Sequence, residues 1–231
     1  MVDPQLAERF ETVSAGIVDA ARAAGRDPAE LTTIVVTKFH PASVVRDLFA
    51  LGARNFGESR HQEAQPKVAE LSELDASWHF IGQLQTKKAR QVGAYADVIH
   101  SVDREALIDA LSLPEPVGQT GSMRRVFLQV NLTNDLERGG AAPADVPRLA
   151  EVAASAPGIS LLGLMAVAPL GEEPRRAFAL VRELSERVRQ HVPTATALSI
   201  GMSGDYADAI AEGATHLRIG TAITGKRPEP E

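Results

Sequence analysis

The feature that most constrains this chain is a rhythm. Short runs dense in β-branched and apolar residues recur along it, and nearly every one precedes a segment with helical spacing. The runs are residues 32–38 (TTIVVTK), 55–58 (NFGE), 78–82 (WHFIG), 97–102 (DVIHSV), 125–131 (RVFLQVN), 160–167 (SLLGLMAV), 197–203 (ALSIGMS) and 215–220 (THLRIG). TTIVVTK is too continuously apolar for a half-exposed strand and reads as one covered on both faces. Strand–helix–strand units are right-handed and build an all-parallel sheet. Eight of them in about 200 residues fit a closed barrel, whose usual size is ~250 residues, better than an open sheet.

The expectation is an α/β fold, a single TIM-type (β/α)8 barrel spanning residues 1–231 with its core at about 30–225. An extra N-terminal helix is expected over residues 4–24, with Asp3 as N-cap, Pro4 at the first helical position and Gly25 as the stop. Ser59 and Gln62 form an S-x-x-Q capping box, Asp103 reads as a second N-cap, and LQTKKARQV reads as a basic helix. Residues 113–122 (LPEPVGQTGS) read as a surface loop, and 226–231 as a frayed tail.

Composition excludes several functions. The chain has no cysteine, which removes disulfides, thiolate metal sites and a catalytic thiol together. Lys plus Arg is 24 against 30 for Asp plus Glu, a net charge of −6, the wrong sign for gripping nucleic acid through phosphates. The N-terminal MVDPQLAERFETV lacks the basic start and apolar core of a signal peptide, and residues 161–170 (LLGLMAVAPL) are far short of the ~20 needed to cross a bilayer. A cytoplasmic monomer is expected, with neither nucleic acid nor membrane as partner.

Barrel active sites lie at the C-terminal ends of the strands, so the strand list becomes a site list: Lys38, Glu58, His79, Ser101, Asn131, Met165, Ser203, Arg218, Gly220 and Thr221. Lys38 ends a strongly apolar strand, where desolvation would make its amine nucleophilic toward an aldehyde; the plainer reading is a lysine emerging into water. The last two loops, GMSGD and RIGTAITG, pair small residues with the hydroxyls of Ser203 and Thr221, as a phosphate cradle requires; ordinary turns would look the same. Period two puts Arg218 opposite Leu217 and Ile219, inside the barrel mouth. There it needs an acceptor, either on a ligand or on a barrel acid such as Glu58. His79 also fits a satisfied core histidine and Met165 fits core packing, while the six histidines show no metal-ligand spacing.

Taken in order, VVTKFHP, RNFGESRHQE, WHFIGQLQTKKARQV, IHSVD, LQVN, LLGLMAV, LSIGMSGDYADAI and EGATHLRIGTAITG resemble the YggS/PROSC family of pyridoxal 5′-phosphate (PLP) homeostasis proteins. The resemblance runs over about residues 30–225 and implies the barrel shared with alanine racemase. It implies that Lys38 holds PLP as a Schiff base, that Ser203, Gly220 and Thr221 bind the phosphate, and that Arg218 faces the pyridine nitrogen. His79 and Met165 occupy pattern positions near the cofactor. Two segments depart from the pattern. Ser59 stands where the family commonly has the Asn of GEN, and Gln83 and Lys87 stand in the HFIGHLQ-x-N-K stretch.

A permanently charged arginine at the pyridine nitrogen disfavours its protonation and so weakens the ring as an electron sink. Alanine racemase adds a second domain and an acid/base tyrosine. This chain ends shortly after Gly225, and of its two tyrosines, Tyr95 and Tyr206, only Tyr206 is placed to approach the site. The implied function is a non-catalytic PLP carrier in intracellular vitamin B6 and amino-acid homeostasis, with PLP-dependent apo-enzymes as recipients. A low-activity amino-acid racemase is the first alternative. A PLP-independent barrel enzyme using Lys38 on a phosphorylated metabolite is the second.

Overall fold

The structure, a computed structural model, describes residues 2–112, 123–133, 135 and 138–226. The readings made for 113–122 and for 227–231 lie outside those residues. Eight strands close in sequence order into one parallel barrel: β1 (Thr32–Val36), β2 (Asn55–Glu58), β3 (Ser77–Phe80), β4 (Val98–Val102), β5 (Arg124–Val130), β6 (Ile159–Ala166), β7 (Ala197–Ser199) and β8 (His216–Ile219). The seam is made by β1 against β8, with Thr32 opposite His216 and Val35 opposite Ile219.

Helices cover the outside: α1 (Pro4–Ala23), α2 (Ala42–Ala50), α3 (His61–Glu70), α4 (Ala89–Val92), α5 (Glu105–Leu111), α6 (Val146–Ser155), α7 (Pro174–His191), α8 (Tyr206–Ala211) and α9 (Thr221–Thr224). The expected start of α1 is present, since Asp3 accepts a hydrogen bond from the Gln5 N–H at 2.9 Å and Pro4 follows it. That helix packs beside the seam, where Arg9 Nε donates to the Ile223 carbonyl at 2.8 Å. In α7 the residues Phe178, Val181, Leu184 and Val188 are buried on one stripe, as their spacing predicts. Among the described residues, no helix is long and apolar enough to cross a membrane.

Three local expectations fail for identifiable reasons. The N-cap of α3 is Arg60, with no side-chain cap bond, so Ser59 and Gln62 form no capping box. Asp103 does not cap α5; its carboxylate accepts instead from Arg104 Nη1 at 2.5 Å and from the Gly140 N–H at 3.2 Å. The basic helix reduces to a 3-10 turn over Thr86–Lys88 followed by the short α4. Arg104 Nη2 takes the Leu84 carbonyl at 2.8 Å and the Thr86 hydroxyl at 3.0 Å, which binds that segment as a turn.

Two cores result. The large one lies between barrel and helices and includes Phe56, Trp78, Ile99, Leu128, Leu164, Leu217 and Ile219. The small one, Val98, Phe127 and Met165, lies inside the barrel. Fitting β6 into the closed sheet takes a register shift, in which Val126 faces Leu161 but Phe127 faces Gly163. Beyond the shift β6 runs so close to β7 that a Cβ on Gly163 would sit 1.8 Å from the Ala197 carbonyl oxygen. Gly163→Ala is therefore expected to lower stability by about 3 kcal/mol or more in urea unfolding. Gly204→Ala, whose new methyl would meet nothing within 4 Å, is expected to stay within about 0.5 kcal/mol of the parent.

Candidate functional site

The C-terminal mouth of the barrel is organised by the ends of β1, β7 and β8. At β1, Ile34 and Val36 face Gly57 across the barrel wall, so Lys38, two residues on, emerges on the same inner side. Its backbone neighbours are pinned on both sides. The Thr37 hydroxyl donates to Glu58 Oε1 at 2.8 Å, Lys67 Nζ donates to the Thr37 carbonyl at 3.0 Å, and the Phe39 N–H donates to Glu63 Oε2 at 3.3 Å. Phe39 has φ 70°, the left-handed region a bulky residue rarely adopts unless its surroundings impose it.

The pin is a buried ion pair, Lys67 Nζ to Glu58 Oε1 at 2.6 Å, with side chains 8% and 2% exposed. Burial raises the Glu58 carboxyl above its ordinary pKa despite the pull of Lys67, and Glu58 Oε2 is buried with no hydrogen-bond partner among the described residues. This pair overturns one reading of Arg218, because Glu58 faces α3 rather than the barrel interior. Lys38 itself is exposed beyond the end of β1, so the burial expected to activate it is absent.

The loops after β7 and β8 meet. The Met202 N–H donates to Asp205 Oδ1 at 2.5 Å, closing a turn that presents Ser203 and Gly204, and Ser203 Oγ accepts from the Ala222 N–H at 3.4 Å. Gly201, at φ 91°, leaves no room for a side chain, since a Cβ would lie 2.6 Å from that of Ala209. Gly220 is the N-cap of α9 and packs on Val36, while Thr221, the first helical residue, is exposed. The two hydroxyls and the start of α9 thus border the seam from which Lys38 emerges.

Arg218 points inward and is 4% exposed. Its Nη1 donates to the Ser199 carbonyl at 2.5 Å and the Ser199 hydroxyl at 2.7 Å, and its Nη2 to the Ala166 carbonyl at 2.9 Å. Burial pulls its guanidinium pKa down to about 10, still charged at neutral pH. Beneath it His79 uses both ring nitrogens inside the barrel, on Asn55 Oδ1 at 3.0 Å and His100 Nε2 at 2.9 Å, and Met165 is packed with Val98 and Phe127. Neither presents a free polar group to the mouth. Ser59 lines a cleft with Arg60, Gln62, Gln83 and Lys88. Asn131 is spent on its own loop, donating to the carbonyls of Asp135 and Arg138.

Both tyrosines turn away. The Tyr206 hydroxyl lies against α1, 2.6 Å from where a Cβ on Gly16 would be, and the Tyr95 hydroxyl sits 3.4 Å from His61 Nδ1. Tyr206 therefore does not approach the mouth, contrary to expectation. Sequence reasoning missed Asn55, Lys67, His100, Ser199 and His216. Period two, applied to Arg218 alone, would also have turned His100 inward with Val98 and His216 inward with Arg218.

The family described as "Alanine racemase, N-terminal domain" matches residues 21–228. A protein of Pseudomonas aeruginosa called "Pyridoxal phosphate homeostasis protein" is 44% identical over 225 residues, covering 96% of each chain. One of the same name from Mycobacterium bovis is 37% identical, covering 97% of this chain and 94% of its own. The structure of PipY from Synechococcus elongatus with PLP bound superposes with TM-score 0.79 at 38% identity, over 96% of this chain and 100% of that one. Alanine racemase of Corynebacterium glutamicum, 16% identical with TM-score 0.69, shares the fold across 96% of this chain and 63% of its own.

Two measurements test the architecture of the site. Lys67→Met leaves the Glu58 carboxyl buried alone and is expected to lower stability by about 3–5 kcal/mol, while the double variant Glu58→Gln/Lys67→Met recovers most of that loss in chemical unfolding. The barrel histidines make stability depend on pH. Burial lowers His79 to about 3, His216 to about 4 and His100 well below its ordinary value. The unfolded chain binds more protons than the folded one below about pH 6.5, so this contribution is whole above that pH and lost as pH falls toward 4. Glu58, raised in the fold, acts in the opposite sense above about pH 4.5, one group against three. Unfolding free energies from urea titrations between pH 7 and 4 are expected to fall with acidification by up to about 1.4 kcal/mol per pH unit per histidine.

Proposed function

The chain belongs to the family of pyridoxal phosphate homeostasis proteins, and on that premise we propose that it binds PLP at the barrel mouth through Lys38 and serves as a non-catalytic carrier. In this role it holds cofactor for PLP-dependent apo-enzymes and so acts in intracellular vitamin B6 and amino-acid balance. The observation that carries the reading is the set of groups converging on the seam. An exposed lysine amine lies just beyond β1, two hydroxyls lie on adjoining loops, and, among the described residues, a buried guanidinium has only neutral oxygens within hydrogen-bond distance.

That donor set fits the chemistry of PLP. Ser203, Thr221 and the backbone at Gly220 suit a phosphate, and a Cβ at Gly204 would meet nothing, so the turn leaves room for one. Arg218 can only donate, so it suits an unprotonated pyridine nitrogen. When bound, PLP supplies an aldehyde that reacts with an amine and a ring that accepts electrons. Lys38 supplies the amine, with its backbone held by Thr37 and Phe39. His79 and Met165 support the site from below, and Ser59 borders it at the end of β2.

The carrier reading rests on what surrounds the lysine. Racemisation needs a proton removed on one face of Cα and returned on the other. Lys38 serves one face, and the hydroxyls of Tyr95 and Tyr206 are directed at helices. Arg218, holding the ring nitrogen unprotonated, disfavours carbanion chemistry as well.

Borohydride reduction of the PLP-loaded protein, followed by peptide mapping, is expected to find the pyridoxyl group on Lys38 and to find none in Lys38→Ala; a label on Lys87 would refute the assignment. Ser203→Ala and Thr221→Ala are each expected to weaken PLP binding roughly ten- to a hundredfold, the loss of one hydrogen bond to a charged group. Holo-protein mixed with an apo-enzyme is expected to transfer its cofactor. With L-amino acids in deuterated water it is expected to exchange the Cα proton no faster than free PLP, and rapid exchange with D-isomer would establish a racemase instead.

A further inference from the structure

Beneath Arg218 the barrel interior holds a continuous chain of polar groups drawn from five strands. Asn55 Oδ1 meets His79 Nε2 at 3.0 Å, His79 Nδ1 meets His100 Nε2 at 2.9 Å, His100 Nδ1 meets Ser199 Oγ at 2.9 Å, and Ser199 Oγ meets Arg218 Nη1 at 2.7 Å. His79, His100 and Arg218 are at most 4% exposed, so bulk solvent does not compete for these bonds.

The ends of this chain fix its direction. An amide oxygen only accepts and a guanidinium only donates. His79 must therefore donate from Nε2 to Asn55, which leaves its Nδ1 to accept from His100 Nε2–H. His100 Nδ1 then accepts from the Ser199 hydroxyl, and the Ser199 lone pairs are left for Arg218. Every donor meets one acceptor only if both imidazoles are neutral, the form their burial favours. A donor proton on His100 Nδ1 would turn the Ser199 hydroxyl proton toward Arg218, donor against donor.

We propose that His100 and His79 are positioning residues that, through the Ser199 hydroxyl, hold the Arg218 guanidinium in one orientation and thereby set the polarity it presents to the barrel mouth. The consequence for the cofactor rests on the reading of Arg218 as the partner of the pyridine nitrogen. The orientation of Arg218 itself does not.

The first test uses cofactor-free protein and side-chain 15N NMR. His79 and His100 are expected as neutral Nε2–H tautomers, with rotation about the Arg218 Nε–Cζ bond restrained. His100→Phe keeps the ring stacked on Phe127, 4.6 Å between centroids in the parent, but removes the acceptor for Ser199. It and Ser199→Ala are expected to speed that rotation roughly fivefold to tenfold, the effect of one lost hydrogen bond, while His100→Gln, whose carbonyl can accept again, recovers most of the restraint. An Nδ1–H tautomer at His100, or rotation unchanged in Ser199→Ala, would overturn the proposal even if His100→Phe fails to fold.

The second test titrates the absorption band of PLP-loaded protein with pH. His100→Phe and Ser199→Ala are expected to move its midpoint while one PLP per chain is retained, and an unmoved band would overturn the link to the cofactor. Wild-type protein that shows the expected tautomers yet takes up no PLP would refute the carrier function and leave the positioning of Arg218 supported.

Discussion

A guanidinium inside a closed barrel must be met by oxygen atoms from its own walls, and the interior of this protein is largely arranged around that requirement. Arg218 draws on the Ser199 carbonyl and hydroxyl and on the Ala166 carbonyl, so three adjacent strands are tied at the level of the mouth. A buried charge is costly unless its hydrogen bonds are complete, and here completion extends downward through two imidazoles to Asn55. The apolar part of the interior, Val98, Phe127 and Met165, is small because polar side chains occupy much of the remaining volume.

The neighbouring strand, β1, solves a different problem with the same means. Lys38 is exposed, so its placement comes from backbone anchoring: Thr37 is held by Glu58 and Lys67, and Phe39 by Glu63. A buried ion pair is weak support for stability in general, but removing one member leaves a charge stranded. Here it fixes the end of the strand that delivers the lysine. The two devices, one inside the barrel and one between barrel and α3, bring the amine and the guanidinium to neighbouring strands by independent routes.

Architecture was legible in the sequence because it depends on periodicity, which one run such as TTIVVTK already displays. The convergence of Ser203, Gly220 and Thr221 was legible because strand order dictates which loops adjoin. What escaped depended on partners far apart in sequence. Lys67 sits in HQEAQPKVAE, a segment with the composition of a solvated helix, and only the packing of α3 on β2 reveals it as the partner of Glu58. Asp103 reads as a cap because aspartate usually caps, yet Gly140 claimed its carboxylate from another loop. Tyr206 follows β7 closely enough to suggest the mouth, but α1 lies against that side of the barrel and took its hydroxyl outward.

The seam between β1 and β8 has a further consequence, which concerns time. Thr32 pairs with His216, so the first strand made waits for the last before the sheet can close. At about 5–20 residues per second, a nascent chain carries β1 with one edge open for on the order of 10–40 s. During that interval TTIVV is an apolar, β-branched edge of the kind that templates association between chains. Arg218, Gly220 and Thr221 are synthesised within a few residues of closure, so the mouth comes into being in the same step that removes the exposed edge.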